Sequence, residues 1–228
     1  MFLKYYQKID DALSYLFSSV SNEKKLIQNI FKTKNIVYVD VGTNEGNFLD
    51  FLSSFCNFKK IICFEPIKEL TDKIDTKKYS NNILIYNIAL SNNNSIKNFY
   101  QYDISSQSSL YQQNNLFKSL KKLKKKFKVK TIKFDDKFNN HQNIDFCKID
   151  VQGEELNVLK GMKKNLINKK ITLIKIEISF IERYRGPKSN FLSIINYLAR
   201  FGYHLISISK IKYLKNKILA MDAYFQIK

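Results

Sequence analysis

Asp40, Gly42, Asn44 and Gly46 stand within one short stretch, Val39-Asp40-Val41-Gly42-Thr43-Asn44-Glu45-Gly46. It follows the β-rich run Ile36-Val37-Tyr38-Val39 and precedes the helical stripe Phe48, Leu49, Phe51, Leu52, Phe55. A turn between a strand and a helix must stay small if backbone is to approach a ligand, and Gly42 and Gly46 keep it small. A dinucleotide fingerprint would want three glycines in GxGxxG spacing, with a pyrophosphate resting on the helix N-terminus. Here the strand ends on the carboxylate of Asp40, expected to face the ligand crevice. That group repels a pyrophosphate and suits a ligand carrying an ammonium and a sulfonium, as S-adenosylmethionine does. The competing reading is an ordinary structural turn.

Three further strand ends carry candidate groups. In Cys63-Phe64-Glu65-Pro66, Glu65 closes the second strand about 20 residues after the glycine turn, where a carboxylate can accept hydrogen bonds from both ribose hydroxyls. Pro66 stops that strand and opens the next helix; a plain helix-start acid is the alternative for Glu65. In Asn87-Ile88-Ala89-Leu90-Ser91, polar Asn87 and small Ala89 suit the edge of an adenine. In Lys148-Ile149-Asp150-Val151-Gln152-Gly153-Glu154-Glu155, Asp150 closes the fourth strand, beside the point where an open α/β sheet binds ligands. Gly153 lets the chain turn, and Glu154 and Glu155 favour the positive N-terminus of the following helix.

The elements that must hold these groups are legible as alternating strands and helices. The apolar runs at Ile36–Val39, Ile61–Phe64 and Ile83–Tyr86 are continuous, as in strands covered on both faces, and further strands are expected at Ile144–Ile149 and Ile171–Ile178. Helical stripes fall between them, with Leu156, Leu159, Met162 and Leu166 on one and Phe191, Leu192, Ile194, Ile195 and Leu198 on another, ended by Gly202. Tyr203–Ile208 and Met221–Ile227 supply two last strands, about seven in all. The pattern predicts an α/β fold with an open, mostly parallel sheet. Ile9, Leu13, Leu16, Phe17 and Val20 predict an N-terminal helical extension, a packing element or dimer contact, giving segments 1–34 and 35–228. Between Ser91 and Lys130 the spacing of Leu116, Leu120, Leu123 and Phe127 predicts a basic amphipathic helix, with lysines at 118, 121, 122, 124, 125 and 126 on its exposed face.

The sequence has 228 residues, 44% of them hydrophobic, enough for one substantial core. No run approaches a membrane span and the start does not read as a signal peptide, so a cytosolic protein is expected. Cys56, Cys63 and Cys147 show no CxxC spacing, which excludes a disulfide framework or a zinc site as a reading and makes them structural. No metal-ligand signature is present. The net charge of +19 leaves two readings, affinity for an anionic partner or lysine spread over every solvated surface by composition.

Taken in order, DVGTNEG, FEP, NIAL, KIDVQGEELNVLKG and IEIS resemble the FkbM family of methyltransferases from about Asn35 onward. Asp40, Gly42, Asn44 and Gly46 match its Asp-x-Gly-x-Asn-x-Gly; Phe64, Glu65 and Pro66 its Phe-Glu-Pro; Asp150, Gln152, Gly153 and Glu155 its Asp-x-Glu/Gln-Gly-x-Glu. Glu154 departs from an apolar or aromatic position. The resemblance implies a Rossmann-like, doubly wound, seven-stranded sheet with the last strand antiparallel. It further implies S-adenosylmethionine as cofactor and methyl transfer to a hydroxyl of a sugar, glycan or secondary metabolite. Asp150 is the first candidate for general base and Glu177, ending the fifth strand, the second. Two rival readings stay open. One is a nucleic-acid methyltransferase, motivated by charge but lacking the Asn/Asp-Pro-Pro-aromatic element. The other is a cofactor-binding scaffold without catalysis. Acceptor selectivity, for a small molecule or glycan that can be anionic, is expected from the 91–130 segment, the Arg183–Pro187 loop and the N-terminal helix.

Overall fold

The computed structural model describes residues 22–32, 34–79, 82–114, 122–138, 142–186, 189–214 and 216–227. Its strands are β1 (Ile36–Val41), β2 (Phe58–Phe64), β3 (Ile83–Tyr86), β4 (Ala89–Leu90), β5 (Ser95–Tyr102), β6 (Leu123–Ile132), β7 (Ile144–Ile149), β8 (Ile171–Ser179), β9 (Tyr203–Leu214) and β10 (Lys217–Ile227). Seven of them form one sheet in the order β3-β2-β1-β7-β8-β10-β9. The first five pair in parallel, and β10 runs antiparallel to both β8 and β9. From β1 the chain winds outward through β2 and β3, then returns to the other side of β1 with β7 and β8. The winding reverses between β1 and β7, and that reversal opens a crevice at their carboxyl ends.

Alternation along the strands sends side chains to two cores. Val39, Val41, Phe64, Cys147, Ile149 and Ile174 face one, closed by Val158, Leu159 and Leu198. Tyr38, Ile61, Cys63, Phe146, Leu173 and Tyr224 face the other, closed by Leu49 and Leu52 of the helix Asn47–Ser53. Every residue of β1 and β7 is buried, Asp40, Asp145 and Lys148 included, as in strands covered on both faces. Gly202 ends the helix Phe191–Ala199 with φ +84° and bonds its N–H back to Ala199, as a C-terminal cap does.

A helix spans residues 22–31. Its Ile27 and Phe31 enter the second core, and Glu23 accepts from Lys175 Nζ and the Tyr224 hydroxyl. The predicted stripe Ile9 to Val20 lies outside the described residues.

From Leu123 on, the segment expected to be a basic helix is instead a strand. β6 pairs antiparallel with β5 over Ser95–Tyr102 and parallel with β4, forming a second, three-stranded sheet. Leu123 and Phe127 fit a helical spacing, but Phe127, Val129 and Thr131 also alternate with Lys126, Lys128 and Lys130. The tie is broken by Phe99 of β5, which packs on Phe127 with ring centroids 5.6 Å apart. Leu116, Lys118, Leu120 and Lys121 of that expectation lie outside the described residues. The inner face of this sheet, through Phe99, Val129 and Ala89, packs on Ile67, Leu70 and Leu110, and so walls the crevice.

Candidate active site

Asp150 N–H donates to the Val41 carbonyl at 3.0 Å, pinning the end of β7 to the end of β1. The approach leaves no room for a side chain at residue 42: a Cβ there would lie 1.9 Å from the Asp150 carbonyl oxygen, and φ is +80°. Above this junction opens a cleft of about 600 Å³, its mouth included, a size that suits a small-molecule site. Gly42, Asn44, Glu65, Pro66, Ala89 and Asp150 line it. Among the expected cofactor-binding residues, the remaining three do not.

Glu65 is buried at the end of β2. One carboxylate oxygen accepts from the Asn44 amide and the other from the Ile67 amide, both at 3.0 Å. Burial pushes the carboxyl up to about 7, against the pull of those two N–H groups. Each oxygen keeps a further lone pair for a donor in the cleft. Asn44 holds φ +55°, donates its N–H to Glu65 and receives Ser105 Oγ at 3.2 Å, so the glycine turn is tied to the segment after β5.

Asp40, expected to face the ligand, lies behind the cleft wall. It is fully buried, and Lys148 Nζ from the adjacent β7 donates to its Oδ1 at 3.0 Å and to the Gly42 carbonyl at 2.9 Å. Cross-strand register puts Asp40 opposite Lys148, and a buried carboxylate needs that partner. Burial alone would lower the Lys148 ammonium, but Asp40 and Asp150 outweigh it and keep it charged. Asn87 does not line the cleft either: it is exposed just past β3, its Nδ2 donating to the Glu65 carbonyl at 3.1 Å and Thr71 Oγ1 at 2.9 Å. Gly46 caps the helix Asn47–Ser53 at φ +84°, beneath Ile74. These three residues shape the walls rather than line them.

Asp150 and Glu177 are brought together by Gln152. Its Nε2 donates to Asp150 Oδ1 at 2.6 Å and to Glu177 Oε2 at 2.7 Å, while its Oε1 receives the Tyr184 hydroxyl at 2.9 Å. The two carboxylates differ in electrostatics. Burial and the neighbouring Glu177 push Asp150 up to about 6. Burial also opposes ionisation of Glu177, but Arg183 (2.9 Å) and Lys212 (2.6 Å) outweigh it and hold that carboxyl down at about 2. Asp150 can therefore take up a proton near neutral pH, whereas Glu177 is a fixed anion. Glu155 accepts from its own turn, at Gly153 N (3.0 Å) and Val151 N (3.3 Å), which is a structural role.

Sequence reasoning missed several lining residues. Phe99, Ser105, Ser106, Ser108 and Leu110 reach the cleft from the segment around the second sheet. Glu154 lines it too, held by Ser91 Oγ at 2.5 Å, Lys97 Nζ at 3.0 Å and the Tyr111 hydroxyl. The signal for Glu154 was its departure from an apolar position; its partners Lys97 and Tyr111 lie more than 40 residues away in sequence and gave none.

The site's donor set fits an adenosyl ligand: a buried carboxylate with free lone pairs at Glu65, a bare backbone approach at Gly42, and apolar Ile88, Phe99 and Leu110 between. Comparison with known proteins agrees. A family model described as the methyltransferase FkbM domain matches residues 40–205. No curated protein matches the sequence. Among solved structures, an rRNA methylase from Streptococcus thermophilus aligns with TM-score 0.51 at 11% identity, over 92% of this chain and 97% of that one. Magnesium protoporphyrin IX methyltransferase from Synechocystis PCC 6803, crystallised with bound SAM, aligns with TM-score 0.52 at 8% identity, over 92% and 79%. At such identities the likeness is one of fold.

Proposed function

The chain belongs to the FkbM family of S-adenosylmethionine-dependent methyltransferases, and from that premise we propose that it methylates a hydroxyl of a sugar, glycan or secondary metabolite. The cofactor supplies a methyl group already activated on a sulfonium, so the chain's main task is alignment. Glu65 would hold the ribose hydroxyls, Gly42 and Asn44 the path of the backbone beside the ligand, and Ile88, Phe99 and Leu110 the apolar base. Asp150 would accept the proton of the acceptor hydroxyl as its oxygen bonds to the methyl carbon. Glu177, ion-paired and fixed, orients Gln152 and through it Asp150.

The observation that carries this reading is that Glu65 and Asp150 line one cleft on either side of Gly42, one carboxylate suited to binding and the other to proton uptake. The test is calorimetric titration with S-adenosylmethionine, S-adenosylhomocysteine and NAD, followed by a screen of sugar and glycan acceptors for a methyl mass gain. Binding of the two adenosyl ligands with a mass gain on a hydroxyl acceptor supports the proposal. Binding without turnover on any hydroxyl acceptor would favour the scaffold.

A further inference from the structure

β5 and β6 together contain no acidic residue and six lysines, at 97, 124, 125, 126, 128 and 130. Alternation divides them between two faces. Lys97 turns inward to Glu154, on the side of Phe99 and Val129. Lys126, Lys128 and Lys130 stand on the opposite face, all exposed, and Lys124 follows them, also exposed, at the bulge that ends the register. Alternate residues of one strand are about 6.7 Å apart, a repeat on the order of the spacing between successive phosphates of an extended single strand. The residues opposite on β5 are Tyr100, Asn98 and Ile96, so the face also offers an aromatic ring, with Lys126 Nζ 5.5 Å from its centroid. Among the described residues no carboxylate forms an ion pair with these four lysines, whereas Lys148, Lys175 and Lys212 elsewhere are all paired.

We propose that the outer face of this second sheet binds the phosphate backbone of single-stranded RNA, with Lys126, Lys128 and Lys130 as the contacts. Four features favour that occupant. The cations form a line rather than a disc, which matches a linear polyanion better than a bilayer surface. They are point charges without the bidentate fork of arginine, as suits backbone contact without base readout. Among the described residues of these strands two large apolar side chains are exposed, Ile96 and Leu123, too little to anchor a membrane. Tyr100 gives a face on which a base can stack. The inner face of the same sheet walls the cofactor cleft, so a bound strand would run one sheet thickness from it. The proposal is independent of which hydroxyl is methylated.

The test uses the full chain and a fluorescent oligouridylate of about 12 nucleotides, with anisotropy measured across a salt series. A variant carrying Lys126→Gln, Lys128→Gln and Lys130→Gln is compared with a control carrying Lys160→Gln, Lys163→Gln and Lys164→Gln, exposed lysines on another surface. Removing three phosphate contacts should lower the slope of log K against log salt by about 2 and weaken binding by about a hundredfold near 0.1 M salt. The control should bind as the wild type does, and both variants should keep wild-type S-adenosylmethionine affinity, which reports folding. Equal losses in the two variants would overturn the proposal, leaving only diffuse positive charge. So would wild-type binding to phosphatidylserine vesicles with none to the oligonucleotide.

Discussion

Glu65 is buried with its carboxyl raised to about 7, and ribose hydroxyls donating to it favour the ionised form. Cofactor affinity should therefore fall as pH drops through about 7, by about tenfold between pH 8 and 6, because the binding-competent fraction falls that far. Calorimetry at the two pH values checks this, and Glu65→Gln should flatten the dependence while weakening binding by about 1.5–3 kcal/mol. Equal affinity in wild type and variant would sink the ribose assignment. Asp150 works in the same sense, since it must be unprotonated to accept a proton. Turnover should be lost as pH falls through about 6, and Asp150→Asn should lower kcat by roughly 10²–10⁴ with cofactor affinity nearly unchanged. A variant with normal kcat would remove Asp150 from the mechanism.

Between the residues and the cleft stand the ends of β1 and β7, whose contact depends on the absence of a side chain at Gly42. Gly42→Ala would drive a Cβ into the Asp150 carbonyl and force an L residue to φ +80°. The expected loss is about 2–4 kcal/mol, read as a lower urea midpoint, together with weaker cofactor binding. A similar local dependence holds at Asp135, which accepts from Lys164 N at 2.7 Å and from Asn165 Nδ2 at 2.6 Å, tying the helix Phe134–Lys137 to Lys163–Ile167. Asp135→Ala leaves those buried donors without partners and should cost about 1–3 kcal/mol, with no effect on cofactor affinity at temperatures where the fold persists. At this scale the sequence was legible wherever strands are covered on both faces, because continuous apolar text has few other uses. It failed at Leu123–Ile132, where apolar residues satisfy both the 2.0 and the 3.6 period. Only the partner strand Ser95–Tyr102, brought across by the fold, selects between them.

Among the described residues, the carboxyls of Glu65 and Glu155 are raised to about 7 and that of Asp150 to about 6, while Glu177 is held at about 2. A raised carboxyl binds its proton in the folded state before it would in the unfolded chain, so lowering the pH favours folding until the unfolded values near 4 are reached. Glu177 contributes in the other direction, with stability present above its unfolded value and lost as pH falls towards 2. Thermal midpoints should thus rise from pH 8 to about 5 and then fall steeply below about 4; a midpoint that declines from 8 to 5 would contradict the buried state of the three acids. The sequence by itself determined the sheet, the glycine turn and the four strand ends that bear Asp40, Glu65, Asn87 and Asp150, because strand burial and turn chemistry are local and leave local marks. Only the tertiary structure decided which of those groups meet the cleft. Asp40 is held behind the wall by Lys148 and Asn87, exposed past β3, is held by Thr71, both partners distant in sequence, and Glu154 turns in because Lys97 and Tyr111 hold it there. A buried polar group goes where its hydrogen-bond partner is, and that partner is supplied by the fold rather than by neighbouring residues.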